Sequence, residues 1–464
     1  AMGEAPRPRV LALMGSGETS PTMVTVHKAL AARIASADLR AVLLDTPYAF
    51  QENAADISQR SQAYFARSIG LKVDVISDAD LSAAQNPGAA AGIAAIRSAD
   101  WVFAGPGSPS YALRRWRGGP VADALRDRIA AGTGLTVIAS AAAAAIGKVA
   151  IPVYEIYKVG ADPHWLPGLD LLSVLGLGVA VIPHYDNAEG GTHDTRFCYL
   201  GERRLAVLER ELPAQAAVLG VDEHTALVID LVTQEAEVVG RGGMTVRKAG
   251  VSAVFPSGSS LTLAELRLLV RDGPDAPGMT AAAAGPQHGA QAGSGDGGRP
   301  GSRPSGARAG GQSGTPTAGP AGAGGPAGAL TDRDLPDLTR DAEERFGAAE
   351  RRRDGAGMVA AILDLEAAIE AWSTDTDEND NADRARAVLR GLIVRLGQAA
   401  EQGLADPADR LRPGVDPLIA LRACLRRDGS YAAADAIRDA LVALGIELHD
   451  SPDGTTWVIS ASSS

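Results

Sequence analysis

The chain has 464 residues, a formal net charge of −12 and 45% hydrophobic residues. At roughly 100–200 residues per domain, this length points to two to four domains; with aromatics at only 4%, their cores must be built mainly from Ala, Val, Leu and Ile. The charge argues against a general phosphate binder: Thr331–Ser464 carries 16 Lys/Arg against 26 Asp/Glu, so a nucleic-acid role there needs a local basic face or recognition of shape.

The two cysteines, Cys198 and Cys424, lie far apart, with no CxxC and no His-rich partner. Neither a disulfide framework, nor a structural zinc site, nor any other metal or cofactor is expected. No basic segment followed by an apolar one opens the chain. No apolar run reaches the roughly 18–20 residues that span a bilayer. A soluble cytoplasmic protein without membrane contact is the expectation.

Along the chain, Arg9–Met14 is a short apolar run ending in Gly-Ser-Gly, and Pro21–Ser36 has helical spacing. Leu39–Asp45 reads as a strand, Asn53–Ile69 as a helix and Val73–Ile76 as a strand. Ala89–Ser98 is helical, and the strand Trp101–Ala104 runs into Gly-Pro-Gly-Ser. Ala122–Ala131 is helical, and the strand Leu135–Ala139 enters Ala141–Ile146. Alternation of this kind implies a doubly wound parallel α/β sheet. Ligands bind such sheets beyond the carboxyl ends of the strands, here Gly15–Glu18, Gly105–Ser110 and Ser140–Ala145. Val179–Phe255 is richer in β character.

Asp272–Ala329 contains no Leu, Ile, Val, Phe, Tyr or Trp, and reads as a disordered Gly/Pro/Ala tether. Beyond it, Asp341–Trp372 and Ala382–Gln402 read as amphipathic helices, Asp416–Leu444 as a helical pair broken near Arg427–Gly429, and Glu447–Ser460 as a short β-like end. The expected division is 8–271 for the α/β domain, 272–329 for the linker, 330–415 for a helical bundle and 416–461 for a tail.

Polar groups converge on the strand ends. Glu18 follows a Gly-Ser-Gly turn. The backbone amides of Gly105, Gly107 and Ser108 suit an oxyanion hole. Glu155, His184, Arg196 and Glu223 follow further apolar segments. Glu18, Gly105, Gly107, Ser108, Arg196 and Glu223 are the candidates for contacting a substrate. A lone histidine after a strand is more often structural than catalytic, but this many groups at successive strand ends suggest one shared site.

These residues resemble peptidase family S51, which includes dipeptidase E and cyanophycinase. The resemblance runs from Arg9 to about Val270, through Gly15-Ser16-Gly17-Glu18, Gly105-Pro106-Gly107-Ser108, Pro183-His184-Tyr185, Thr192–Arg196 and Gly220–Ala226. It implies a flavodoxin-like fold of the class I glutamine amidotransferase type, with a serine nucleophile at a strand-to-helix elbow, a histidine base and an acid. Carried over, the base is His184 and the acid Glu155. The family elbow, Gly-x-Ser-Ala-Gly-Ala, meets Ile138-Ala139-Ser140-Ala141-Ala142-Ala143-Ala144-Ala145 here. An ungapped match puts the nucleophile position on Ala141, flanked by small Ala139 and Ala143, whereas Ser140 would have bulky Ile138 two residues before it. The expectation is therefore a domain without the standard nucleophile that binds a small peptide or amino-acid-like ligand. The alternative is an active serine hydrolase using Ser140, His184 and Glu155, and a hydrogen bond between Ser140 and His184 would favour it.

The run Ala434-Asp435-Ala436-Ile437-Arg438-Asp439, with Gly445-Ile446, Ser451-Pro452-Asp453-Gly454-Thr455 and Trp457, resembles the C-terminal tail of cysteinyl-tRNA synthetase, and the helices from about Asp341 resemble that enzyme's anticodon-binding bundle. The resemblance implies tRNA contact, with Arg426, Arg427, Arg438 and Trp457 as the candidate residues. It does not imply aminoacylation, because His-x-Gly-His, Lys-Met-Ser-Lys-Ser and zinc-ligand cysteines are all missing from the sequence. A homodimer is a further expectation.

Overall fold

The computed structural model describes residues 8–275 and 333–460, apart from 35–38, 83–86, 191, 377–379, 404–406 and 452–453. Most of the tether expected over 272–329, and the first residues of the bundle expected from 330, lie outside the described residues. The contacts divide the chain into two units, 1–333 with 372–378, and 334–371 with 379–464.

In the first unit the strands are β1 (Arg9–Met14), β2 (Ala41–Leu44), β3 (Val73–Ile76), β4 (Trp101–Ala104), β5 (Gly134–Ala139), β6 (Val149–Ala150), β7 (Leu166–Pro167), β8 (Val179–Ile182), β9 (Ala217–Val221), β10 (Thr225–Asp230), β11 (Glu235–Gly240), β12 (Gly243–Lys248), β13 (Val251–Pro256) and β14 (Ser260–Thr262). The helices are α1 (Val24–Ala31), α2 (Ala54–Tyr64), α3 (Asp78–Ser82), α4 (Pro87–Ser98), α5 (Pro109–Trp116), α6 (Pro120–Ala131), α7 (Ser140–Ala145), α8 (Val153–Tyr157), α9 (Gly201–Arg210) and α10 (Leu263–Asp272).

Eight strands form one sheet in the order β14-β11-β10-β1-β5-β4-β2-β3. Its parallel half, from β1 to β3, is the doubly wound sheet that the alternating pattern implies, and it fits the flavodoxin-like fold that the resemblance implies. Such a sheet is buried on both faces, and β1 shows it: Leu11 and Leu13 enter one core cluster, while Val10, Ala12 and Met14 enter the other. Antiparallel β10, β11 and β14 extend the sheet from β1. The β-rich stretch also builds a second sheet, β13-β12-β9-β8-β6-β7, in which β8 pairs with β9 in parallel. In the sequence this stretch shows only as β-rich; the pairing of hairpins such as β12–β13, which local pattern does not carry, makes both sheets partly antiparallel.

The second unit comprises α11 (Leu335–Arg351), α12 (Gly355–Ala371), α13 (Asn381–Gln402), α14 (Pro407–Arg427), α15 (Tyr431–Ala443) and the hairpin β15 (Ile446–Ser451) with β16 (Gly454–Ile459). The single helix expected over Asp341–Trp372 is two. Arg353 at φ 53° closes the first, and Asp354 Oδ1 accepts the Gly357 N–H at 2.9 Å to begin the second. Phe346, Met358 and Leu365 are buried where these helices meet. In the tail, Arg422 is buried and donates to both carboxylate oxygens of Asp450 at 2.8 Å, tying α14 to the hairpin.

Candidate active site

Ser140 stands where β5 turns into α7, with φ 45°. A non-glycine residue in this region is strained by about 1–3 kcal/mol and persists only when its surroundings fix it. The strained residue of the elbow is Ser140, not Ala141. Its Oγ lies 3.1 Å from His184 Nε2. Ala141 is the next residue of α7, and the following amide, Ala142 N–H, donates to Gly105 O at 3.1 Å, tying the elbow to the end of β4. In the sequence, the bulk of Ile138 argues against this register. In the fold, that side chain lies in the core cluster that also holds Ala142, Ala143 and Ala145, so the small helix residues make room for it.

His184 follows β8, also at positive φ, 48°. Its Nδ1 lies 2.8 Å from Glu223 Oε1. The acid expected at this place, Glu155, does not meet His184: it lies on α8, and its Oε2 is buried without a hydrogen-bond partner among the described residues. The pairing of β8 with β9 decides between them. Ile182 is in register with Gly220, so the chain leaving β8 at His184 runs beside the chain leaving β9 at Glu223. The same pairing requires Gly220, because the Tyr185 ring lies against it and an added Cβ would fall 2.3 Å from a ring carbon.

Electrostatics at Glu223 favour the charged form. Burial raises its pKa, but the hydrogen bond from His184, the His184 charge and the hydrogen bond from Asn187 outweigh burial and bring the carboxyl down to about 2. With the carboxylate charged, Nδ1 of His184 carries the proton and Nε2 accepts from the Ser140 hydroxyl. Two neighbouring carboxyls are pushed the other way. Burial, then the Asp186 charge, raises Asp222 to about 7. Burial also raises Asp186, whose Oδ1 accepts the Glu223 N–H at 2.7 Å.

The other sequence candidates divide. Glu18 is fully buried beside the elbow, where an added Cβ on Gly105 would come within 2.8 Å of Glu18 Oε1. Gly107, at φ 130°, has no room for a side chain, because a Cβ would meet Pro47 O at 2.1 Å. Ser108 is occupied structurally: its N–H donates to Pro47 O at 2.8 Å and its Oγ caps α5 by accepting Tyr111 N–H at 3.2 Å. Its amide is therefore not an oxyanion donor, and Pro106 has none to offer. Arg196, which is exposed, forms a two-pronged pair with Asp194, at 2.9 and 2.8 Å.

Sequence reading missed Asn187 and Tyr199. Asn187 is fully buried and donates from Nδ2 to Glu223 Oε1 at 2.9 Å. Tyr199 lies with its ring 6.2 Å from that of His184, at the end of a left-handed run, Phe197, Cys198 and Tyr199, with φ 63°, 56° and 64°. The N–H groups of Phe197 and Cys198 donate to the carbonyls of Tyr185 and His184, so this run braces the histidine loop. The strain gives no sequence signal; the only clue is how close these residues lie to Thr192–Arg196. Cys198 is no rival nucleophile, since burial pushes its thiol up to about 12. Among the described residues no group of three or more His, Cys, Asp or Glu side chains converges to hold a metal ion.

In the second unit, the candidate RNA contacts are partly engaged within the tail. Arg426 donates to Asp450 at 3.1 Å, Arg427 lies 3.1 Å from Cys424 Sγ, and Trp457 Nε1 donates to Asp416 at 2.9 Å. Arg438 is exposed on α15. Among the described residues no helix is long and apolar enough to cross a membrane.

No family model matches the chain. Among solved structures it is similar to a peptidase from an acI-B1 actinobacterium, at 19% identity and a TM-score of 0.44, over 55% of this chain and 97% of that one. A second similar structure is a putative peptidase E protein from Listeria monocytogenes, at 16% identity and a TM-score of 0.34, over 50% of this chain and 98% of that one. The C-terminal region is similar to cysteine–tRNA ligases. The ligase of Salinibacter ruber is 42% identical over 111 residues, 21% of each chain, and that of Haloarcula marismortui is 32% identical over 138 residues, 28% of this chain and 27% of that one. This chain thus spans about a fifth to a quarter of the curated relatives it matches. The molecule joins an α/β unit to a C-terminal region similar to cysteine–tRNA ligases.

Proposed function

We propose that the α/β unit is a serine hydrolase of small peptides or amide-linked amino-acid derivatives, with Ser140 as nucleophile, His184 as general base and Glu223 as the group that orients and charges the base. The observation that carries this reading is the continuous relay Ser140 Oγ–His184 Nε2 at 3.1 Å and His184 Nδ1–Glu223 Oε1 at 2.8 Å, set on a strained elbow. Ser140 Oγ attacks the scissile carbonyl while its proton passes to His184 Nε2. The imidazolium formed is stabilised by the Glu223 carboxylate. His184 then gives the proton to the leaving amine; water, deprotonated by the same nitrogen, attacks the acyl carbonyl, the bond from that carbon to Ser140 Oγ breaks, and His184 returns the proton to Oγ as the acid leaves. In an elbow of this kind the N–H of the residue after the nucleophile, here Ala141, faces the developing oxyanion.

A ligand-binding domain without a nucleophile is what the sequence favours, and that reading rests on Ala141 occupying the catalytic position. The contact of Ser140 with His184 supports the hydrolase instead. Release of free amino acids from a dipeptide panel by the whole chain, beside its Ser140→Ala variant, tests the reading. Hydrolysis lost in the variant is expected; hydrolysis unchanged by it refutes the assignment.

For the C-terminal region, the likeness to cysteine–tRNA ligases supports tRNA binding, with Arg427 and Arg438, both exposed, as first contacts. Fluorescence anisotropy of labelled tRNA with the whole chain checks this. Binding at low salt that weakens in Arg427→Ala/Arg438→Ala is expected, and no binding at low salt excludes it.

A further inference from the structure

We infer that Asn187 is a positioning residue of the Ser140–His184–Glu223 relay, its side-chain amide holding Glu223 Oε1 in line with His184 Nδ1. This rests on the hydrolase reading above. Two donors converge on one oxygen: His184 Nδ1 at 2.8 Å and Asn187 Nδ2 at 2.9 Å both meet Glu223 Oε1. Asn187 is fully buried, so water does not replace its amide when the carboxylate turns.

The amide has one workable orientation. Its Oδ1 accepts the Glu189 N–H at 3.3 Å. Rotating the amide by half a turn would set Nδ2 against the Glu189 N–H and press Oδ1 against a carboxylate oxygen, so the network itself assigns Nδ2 to Glu223. The backbone joins the same residue to the base. The Asn187 N–H donates to His184 O at 3.3 Å, and the Asn187 carbonyl accepts the Thr195 hydroxyl at 3.3 Å. Asn187 and His184 therefore belong to one turn, braced from the 192–196 segment.

The chemical consequence follows. A carboxylate that accepts a second hydrogen bond is less basic, so the proton between it and the imidazole stays on Nδ1. The Nε2 lone pair then faces Ser140. Without Asn187, Glu223 is free to rotate its carboxylate, and the imidazole loses its fixed tautomer. Asp186, Asp222, His224, Cys198 and Tyr199 are the other titratable groups that interact with Glu223 or its immediate neighbours. They act on Glu223 through charge or its backbone, while His184 and Asn187 hold Oε1 itself.

The test uses the whole chain and two readouts. The first is the rate at which a fluorophosphonate labels Ser140, across the pH range. The second is the tautomer of His184, read by NMR of 15N-histidine protein. Asn187→Leu removes the donor at similar size, and its labelling rate is expected to fall by about tenfold or more while His184 loses its Nδ1–H preference. Asn187→Asp is nearly isosteric and separates positioning from packing. Its carboxyl shares a proton with Glu223 at low pH and repels it at high pH, so its labelling rate, taken relative to wild type at the same pH because His184 itself protonates in acid, is expected to be nearer to wild type at about pH 5 than at about pH 8. A wild-type labelling rate and tautomer in Asn187→Leu would overturn the inference, as would an Asn187→Asp variant whose rate relative to wild type is the same at both pH values. Should the wild-type chain not label at all, the hydrolase reading fails, and the His184 tautomer in the two variants still decides the role of Asn187: an unchanged Nδ1–H overturns it.

Discussion

Replacing Glu223 by Gln while leaving Glu155 intact, and the reverse, separates the two carboxylates that compete for the third place in the relay. The amide introduced by Glu223→Gln keeps an oxygen that can accept from both His184 and Asn187, so the geometry survives and mainly the charge is lost. The Glu223 carboxyl sits near 2 rather than its ordinary 4.5, chiefly against burial and through its hydrogen bond and charge interaction with His184. Asn187 and His224 supply part of that lowering and the side chain is one-quarter exposed, so at ~1.4 kcal/mol per pKa unit the carboxylate stabilises charge on His184 by at most about 2–3 kcal/mol. A transition state that carries an imidazolium loses that stabilisation, which corresponds to about 10²-fold in rate. The assay is the second-order rate of fluorophosphonate labelling, which needs no knowledge of the substrate. Glu155→Gln should stay within about twofold of wild type. A large loss in Glu155→Gln with none in Glu223→Gln would refute the assignment.

Asp222, raised to about 7, holds its proton in the folded state at pH values where the unfolded chain has lost it. Its effect on stability therefore worsens as pH rises from about 3.8 through 7; Asp222→Asn, which can still accept the Gly243 N–H, should raise stability near pH 8 by about 2 kcal/mol and flatten the dependence, measured by denaturant unfolding. Gly107→Ala forces a Cβ to within 2.1 Å of Pro47 O, so it should destabilise the unit by more than about 1 kcal/mol and slow Ser140 labelling by moving the turn beside the elbow. In the second unit, Asp450→Ala leaves the buried Arg422 charge without its partner and should cost roughly 3 kcal/mol, whereas Arg422→Met, which removes the buried charge instead, should cost less by thermal unfolding.

Much of the first unit was legible in its sequence because a doubly buried parallel sheet writes itself as short apolar runs. Val73–Ile76 and Trp101–Ala104 stand where the runs place them. What local pattern does not carry is which strand lies beside which. His184 and Glu223 are 39 residues apart, and only the parallel pairing of β8 with β9 brings them together. Without that register, the sequence points to Glu155 as the acid. The elbow misleads for a related reason. Small residues flank Ala141, but the need for small neighbours depends on which face of the sheet each side chain enters, and Ile138 enters a core cluster lined by alanines of α7. The ion pairs Arg196–Asp194 and Arg426–Asp450 are likewise not written in the local pattern, and both engage side chains that the sequence offers as candidate contacts.

Whether Ser140 is a nucleophile is the question on which the account rests. Incubating the whole chain with a fluorophosphonate and mapping the adduct by peptide mass spectrometry answers it most directly. The account predicts one covalent adduct on the peptide containing Ser140, absent from Ser140→Ala and slowed in His184→Ala. A wild-type chain that takes up no label, or a Ser140→Ala chain that labels as readily, would contradict it.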